Sequence, residues 1–329
     1  MALDTHLVGF DMRIFSSPVD PGQKMIQQAI DFIFMHCDVP GRNADYTMNI
    51  HIKHPLLIHV IFADGPSFFV KMAEKSDDLE KRLHKEYVAI SHVAHFYPGM
   101  IPEALHYQVD KKQNRVLLVI EGIEHSAVLL TDILQAKPEF RQPLQHFLGG
   151  NDRSHLGNQY YCEKQFAFYQ QAVAGLPEDL QRNIQKVSVQ QQWDEMIRKL
   201  PMIAQHGDLT INNIGLAKKS FILFDWEDYA AVQYAGFDLT TLLVSGCQFN
   251  FRLLLSIIEQ DRKTEDVSFI KPIVSCIGIP ESRLVDLILF HLVLFHKLKS
   301  QHGYSISIID RTKRIITDLA DYVLKNGRK

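Results

Sequence analysis

The segment QHGDLTINNIGL, residues 205–216, sets a histidine, an aspartate and two asparagines within eight positions that follow neither a helical nor a strand period. Clusters of this kind are ordinary turn chemistry, because Asp, Asn and Gly satisfy local backbone groups and tolerate left-handed conformations. Here the order is His206-x-Asp208-x-x-x-x-Asn213, and Asp225 emerges from the apolar run FILF twelve positions after Asn213. A carboxylate can accept or orient a proton, and carboxylate and carboxamide oxygens are hard donors that suit Mg²⁺. At background frequencies of about 5% per residue type, the three-residue pattern arises by chance in on the order of a few per cent of chains this long.

The rest of the chain must position these groups. From Tyr46 to Lys75, the runs YTMNIHI, LLIHVIF and SFFVKMA are separated by KHP and ADGP, which reads as a three-stranded antiparallel meander. DDLEKRLHKEYVAISHV then opens with acidic residues and places Leu79, Leu83, Ile90 and Ala94 on one face, as a helix does. Glu86 falls three positions after Leu83 and four before Ile90, so its carboxylate shares the apolar stripe. EALHYQVD and RVLLVIEG flank KKQN as a hairpin of two more strands. Beyond Gly122 the texture is helical: VLLTDILQA, then about 160–175, 177–198, 249–260, 282–299 and 308–325. One exception interrupts it, since IGLA and FILF, hinged at KKS, form a small hairpin.

HGDLTINN followed by FDWED resembles the catalytic loop and metal-binding segment of the aminoglycoside phosphotransferase and choline kinase family. The resemblance covers residue 40 to the end, with motif-specific likeness from 205 to about 240. It implies an α+β, two-lobed protein-kinase-like fold. The small lobe has a five-stranded antiparallel sheet plus one helix; the large lobe is mostly helical with an embedded β-hairpin. Residues 1–122 would be the nucleotide-binding lobe, with an N-terminal helical extension, and 123–329 the catalytic and substrate-binding lobe. The implied reaction is ATP-dependent phosphoryl transfer to a hydroxyl of a small molecule, in which positioning and charge neutralisation by Mg²⁺ do most of the work. Asp208 would be the base, and Asn213 and Asp225 the metal ligands.

The resemblance extends to residues whose bland readings stay open. His206 is expected to hold the loop backbone. Glu227 is a second metal or substrate contact, or a solvated carboxylate. Asp238, in AGFDLTTLL, is the buried aspartate that braces the loop, or a helix N-cap. A lone strand lysine such as Lys71 is usually a solvated edge residue. A carboxylate on the apolar face of the next helix needs a partner, however, so Lys71 and Glu86 are expected to pair and to aim the lysine at the α- and β-phosphates. Backbone groups near Glu121 and Ile123 would bind adenine. The phosphate-covering glycine loop of the family is missing: IHIKHPLLIH has no glycine. Either Lys53 and His54 contact phosphate instead, or KHP is a tight surface turn.

Composition narrows the field. With 35 basic and 38 acidic residues and a net charge of −3, nothing favours nucleic acid or a membrane surface. Cys37, Cys162, Cys247 and Cys276 form no C-x-x-C pair, and the N-terminus MALDTHLVGFDMRIF has no basic segment before a long apolar run. Reduced thiols in a cytoplasmic protein are the expectation. A catalytically silent kinase-like binding protein is the alternative function, motivated by the missing glycines. A protein kinase is disfavoured, because only twelve positions separate Asp225 from Phe237. The acceptor pocket is expected under residues 150–175, where Asp152 and Glu163 mix with Arg153, Lys164 and aromatics rather than forming the carboxylate wall that a polycationic aminoglycoside would need.

Overall fold

The computed structural model describes residues 21–39, 45–51, 55–150, 159–218, 220–263, 268–301 and 305–326. The chain forms two compact units. The first runs to Ser126 and takes in Ile222–Glu227; the second comprises Ala127–Phe221 and Asp228–Lys329.

In the first unit, helix α1 (Pro21–His36) precedes strands β1 (Tyr46–His51), β2 (Leu56–Phe62) and β3 (Ser67–Glu74). Helix α2 (Asp77–Phe96) and strands β4 (Ala104–Asp110) and β5 (Arg115–Gly122) complete it. The strands pair antiparallel in the order β1-β2-β3-β5-β4, so the expected meander and hairpin join through β5, which lies inside the sheet. That placement explains the run VLLVI, since a strand with neighbours on both sides and helices above and below needs no polar face.

Side chains alternate along each strand. Ile58, Val60 and Phe62 of β2 join Phe68, Val70 and Met72 of β3 on one face, where Ala29, Ile30 and Ile33 of α1 pack against them. Fully burying an aliphatic or aromatic side chain contributes roughly 1.5–3 kcal/mol. The N-terminal helix is therefore part of this core and not an appendage. By the same alternation Phe69 and Lys71 point to the other face. Helix α2 is capped by Ser76, whose Oγ accepts the Leu79 amide at 3.3 Å, and Asp77, Asp78 and Glu80 sit in its first turn. Its buried stripe is Leu79, Leu83, Glu86, Ile90 and Val93.

In the second unit the helices are α3 (Leu130–Leu134), α4 (Pro138–Gly149), α5 (Gln159–Ala174), α6 (Glu178–Gln190), α7 (Trp193–Lys199), α8 (Phe237–Gly246), α9 (Phe251–Lys263), α10 (Ile270–Ile277), α11 (Leu284–Gln301) and α12 (Ile306–Asn326). Helix α11 is buried almost all round, as its largely apolar composition requires. Amphipathic α12 lies against it, and Tyr169, Trp193 and Tyr234 pack around Phe290 with ring centroids 5.1–5.9 Å away. Two strands, Ile214–Leu216 and Phe221–Leu223, stand where the hairpin was expected, and Ala217 N–H donates to Ser220 O at 3.0 Å in the turn.

Some helix expectations need correcting. The single helix over 177–198 is two helices, broken where Gln192 takes φ +53°. The VLLTDILQA helix shrinks to Leu130–Leu134. Helix α4 escapes a periodic reading because Pro143 lies inside it. No single helix among the described residues is long and apolar enough to cross a membrane.

Candidate active site

The second unit builds the loop that carries Asp208. Helix α8 presents Asp238, Thr241 and Ser245 at i, i+3 and i+7, one face of a helix, and each holds a loop backbone group. Asp238 Oδ2 accepts the His206 amide at 2.6 Å and its Oδ1 the Gly207 amide at 3.0 Å. Thr241 Oγ1 donates to Leu209 O at 3.1 Å, and Ser245 Oγ accepts the Ile211 amide at 2.9 Å. Asp238 is thus the brace. The N-cap alternative is wrong, since Gly236 occupies the cap. Burial pushes the Asp238 carboxyl up to about 7, against the two amides that favour its charged form.

His206 is fully buried, and its Nδ1 accepts the Asp208 amide at 3.3 Å, a scaffold contact within the loop. Gly207 has φ +88°, and a Cβ there would lie 2.1 Å from Asp228 O, so both conformation and space demand glycine. The Asn213 carboxamide turns back along the loop, Nδ2 donating to Asp208 O at 2.7 Å. Asp208 and Asn213 are thereby fixed to one another.

The first unit assembles the second set. Lys71 Nζ lies 2.7 Å from Glu86 Oε1 and 2.5 Å from Asp225 Oδ1. Glu86 is completely buried and Lys71 is 7% exposed. Burial opposes the Lys71 ammonium, but the charges and hydrogen bonds of Glu86 and Asp225 outweigh it and hold the lysine protonated above the usual range. Asp225 itself sits at φ +65°, a left-handed position that Asp tolerates better than most residues. Glu227, left open between a metal contact and a solvated carboxylate, pairs with Arg82 of α2 at 2.7 Å.

Glu121 and Ile123 lie at and just beyond the end of β5. The Glu121 amide donates to Glu103 O at 2.8 Å, so it serves the sheet, and Ile123 O accepts from His125 Nδ1 at 2.7 Å. Lys53, His54, Asp152 and Arg153 lie outside the described residues. Glu163 and Lys164 are exposed on α5.

Two features escaped the sequence reading. On the Lys71 face of the sheet, the ring of His59 stacks on Phe69 at 4.1 Å and 16°. Phe224, which precedes Asp225, meets Phe69 edge-on at 6.4 Å and lies 4.4 Å from the His125 ring. Burial lowers His59 to about 4, helped by the charges of His125 and His51, so its ring is neutral. In the second unit, Lys299 of α11 is 1% exposed, with Nζ 2.8 Å from Asp208 Oδ1 and 3.1 Å from Asp228 Oδ2. A lysine on the apolar stripe of α11, four residues after Phe295, is the same kind of signal that singled out Glu86.

The sequence profile described as the phosphotransferase enzyme family, APH, matches residues 58–266. No curated protein matches the chain by sequence. Among solved structures, choline kinase LicA from Streptococcus pneumoniae is similar at 14% identity and TM-score 0.55, covering 91% of this chain and 100% of that one. A putative fructosamine-3-kinase from Thermobifida fusca gives 16% identity and TM-score 0.55, covering 86% of this chain and 94% of its own. The aminoglycoside phosphotransferase APH(2")-IIia, in its GDP and kanamycin complex, gives 12% and 0.53, with 91% and 99% covered. At these identities the likeness is one of fold, and the fold is the protein-kinase-like one of small-molecule kinases.

Proposed function

Because the chain belongs to the phosphotransferase enzyme family, we propose that it transfers the γ-phosphate of a nucleoside triphosphate, ATP in the first instance, to a hydroxyl of a small molecule. The observation that carries this reading is the buried Lys71 between Glu86 and Asp225. Such a group is expensive to desolvate and would be more simply replaced by packed apolar residues if stability were its only role. A cation fixed on a rigid strand is suited to the α- and β-phosphates.

The roles follow from the chemistry of each group. Asp208 accepts the proton of the attacking hydroxyl. Asn213 and Asp225 would hold Mg²⁺, and the donor set fits: Asn213 directs its NH₂ at Asp208 O, leaving the carboxamide oxygen for a cation, and Asp225 adds a carboxylate. Among the described residues no three His, Cys, Asp or Glu side chains form a metal cage. That suits an ion which takes most of its ligands from water and phosphate. When bound, Mg²⁺ neutralises phosphate charge. The base would lie against the Phe69, His59 and Phe224 rings, with the Ile123 amide as the donor available near the end of β5, because the Glu121 amide is engaged by Glu103. LicA has been seen with AMP and APH(2")-IIia with GDP, so ATP and GTP are both candidates here.

Thermal melting with Mg-ATP and Mg-GTP tests the reading. A bound nucleotide should raise the Tm by mass action, and Asp225→Asn should shrink the shift. Asp208→Ala should keep the shift while phosphate transfer falls ~10²-fold or more. No shift with any nucleoside triphosphate at millimolar concentration would sink the proposal. Nucleotide binding without turnover would leave the catalytically silent binding protein. Release of ADP or GDP across a panel of hydroxylated metabolites and antibiotics would identify the acceptor.

A further inference from the structure

We infer that Lys299 is a positioning residue for phosphoryl transfer, acting through Asp208. The inference rests on the assignment of Asp208 as base. Helix α11 delivers the Lys299 ammonium to a place that water does not reach, 2.8 Å from Asp208 Oδ1 and 3.1 Å from Asp228 Oδ2. Asp228 is 1% exposed and Asp208 6%. Two buried carboxylates facing one ammonium are not what stability alone selects, because a pair with matched charge or an apolar core would cost less.

The arrangement fixes the Asp208 side chain. Lys299 takes Oδ1, which stops the carboxylate from rotating about its Cβ–Cγ bond and holds it in one orientation toward the acceptor hydroxyl. As the new O–P bond forms and the bond from the γ-phosphorus to the bridging oxygen breaks, the electron pair leaves with the nucleoside diphosphate. The hydroxyl proton passes to the Asp208 carboxylate and then to solvent. A carboxylate kept charged by an ion pair is a weak base, which suits a loose transition state that does not require early deprotonation. Asp228 holds the other side of the ammonium and so prevents Lys299 from following Asp208 alone.

The loop sequence agrees with that role for Lys299. Leu209, Thr210, Ile211 and Asn212 follow Asp208, so the loop brings no cation of its own before Asn213. Among the described residues, the cation given to Asp208 comes from a helix about ninety positions later in the chain.

The test compares wild type, Lys299→Met, Asp228→Asn and the double variant Lys299→Met/Asp228→Asn. Binding of Mg-ATP and Mg-GTP is measured by calorimetry, and γ-phosphate release in single turnover with water as acceptor. Lys299→Met should release phosphate ~10²-fold more slowly, the scale of a lost orienting contribution, with nucleotide affinity changed less than about threefold. The double variant, which removes one negative charge along with the ammonium, should regain the Tm but not the rate. Recovery of the wild-type rate in the double variant would overturn the inference and make Lys299 a structural counter-ion of Asp228. A folded Lys299→Met at wild-type rate would overturn it too. A wild type that binds nucleotide and transfers phosphate neither to water nor to any acceptor of the panel would remove Asp208 as base and Lys299 with it. A wild type that binds neither nucleotide would instead bring down the phosphotransferase reading itself.

Discussion

Asp238 and Gly207 are joined by a hydrogen bond of 3.0 Å, from the glycine amide to a carboxylate that is 1% exposed. The other oxygen of the same carboxylate takes the His206 amide. His206 and Gly207, the two residues before Asp208, are therefore held by one side chain of α8.

Asp238→Asn turns one of those two acceptors into an NH₂ donor aimed at an amide. A buried donor facing a donor costs about 1–3 kcal/mol, so urea unfolding should show a loss of at least that size. Phosphate transfer should fall more steeply than nucleotide affinity. Unchanged stability would mean that the loop is held mainly by Thr241 and Ser245.

Gly207→Ala meets a backbone carbonyl rather than a flexible side chain. The left-handed φ and the collision with Asp228 O together predict a loss of roughly 2–4 kcal/mol. Gly278, at φ +77° with open space around it, is the control. Gly278→Ala should lose only about 1 kcal/mol. Equal losses at the two sites would show that conformation, not the carbonyl, limits Gly207.

Lys71→Met strands Glu86 in the core, and breaking a buried pair from one side costs about 3–5 kcal/mol. Lys71→Met/Glu86→Met should recover most of that in urea unfolding. Nucleotide affinity should remain lost in both variants. A double variant that regained affinity would remove the phosphate role from Lys71.

The pH dependence of stability carries a signed prediction. His291 is fully buried, and burial lowers it from 6.5 to about 3, so its ring stays neutral in the native protein. As pH falls below 6.5 the unfolded chain takes up the proton first, and native stability declines until about pH 3. Asp238 has the opposite sign, because its carboxyl is raised from 3.8 to about 7. Its contribution is complete below 3.8 and is lost as pH rises through about 7. Compared with His291→Gln, wild type should lose up to ~1.4 kcal/mol per pH unit on going from about pH 6 to about pH 4.5. A constant difference between the two proteins would show that His291 is not neutral and buried.

Much of this molecule is legible in its sequence where polarity conflicts with periodicity. Glu86 stands on an apolar helical stripe, and the conflict is resolved by Lys71 fifteen residues earlier. Asp208 and Asn213 stand out because nothing periodic surrounds them. Lys299 presents the same conflict, but LVDLILFHLVLFHKLKSQ ends in basic and polar residues, and a lysine in the last turn of a helix ordinarily complements its dipole. The break at Gln192 is hidden for another reason, since a left-handed glutamine leaves no mark in composition. Helix α4 contradicts the usual meaning of proline, because Pro143 is the sixth residue of a helix that begins at Pro138, and the helix continues past it to Gly149 without the hydrogen bond that position 143 would otherwise give to Glu139 O.

The six residues Ile222–Glu227 belong to the first unit although nearly a hundred residues of the second are written before them. On the ribosome, residues up to Ser126 are complete long before Asp225 has been translated, and Lys71 and Glu86 must wait as a pair of their own. Domains usually fold in the order in which they are made. Here the earlier one receives its last piece only after the whole of the later one's first segment, Ala127–Phe221, has been made, so a gene cut after Ser126 would encode a first unit lacking the aspartate that completes its lysine.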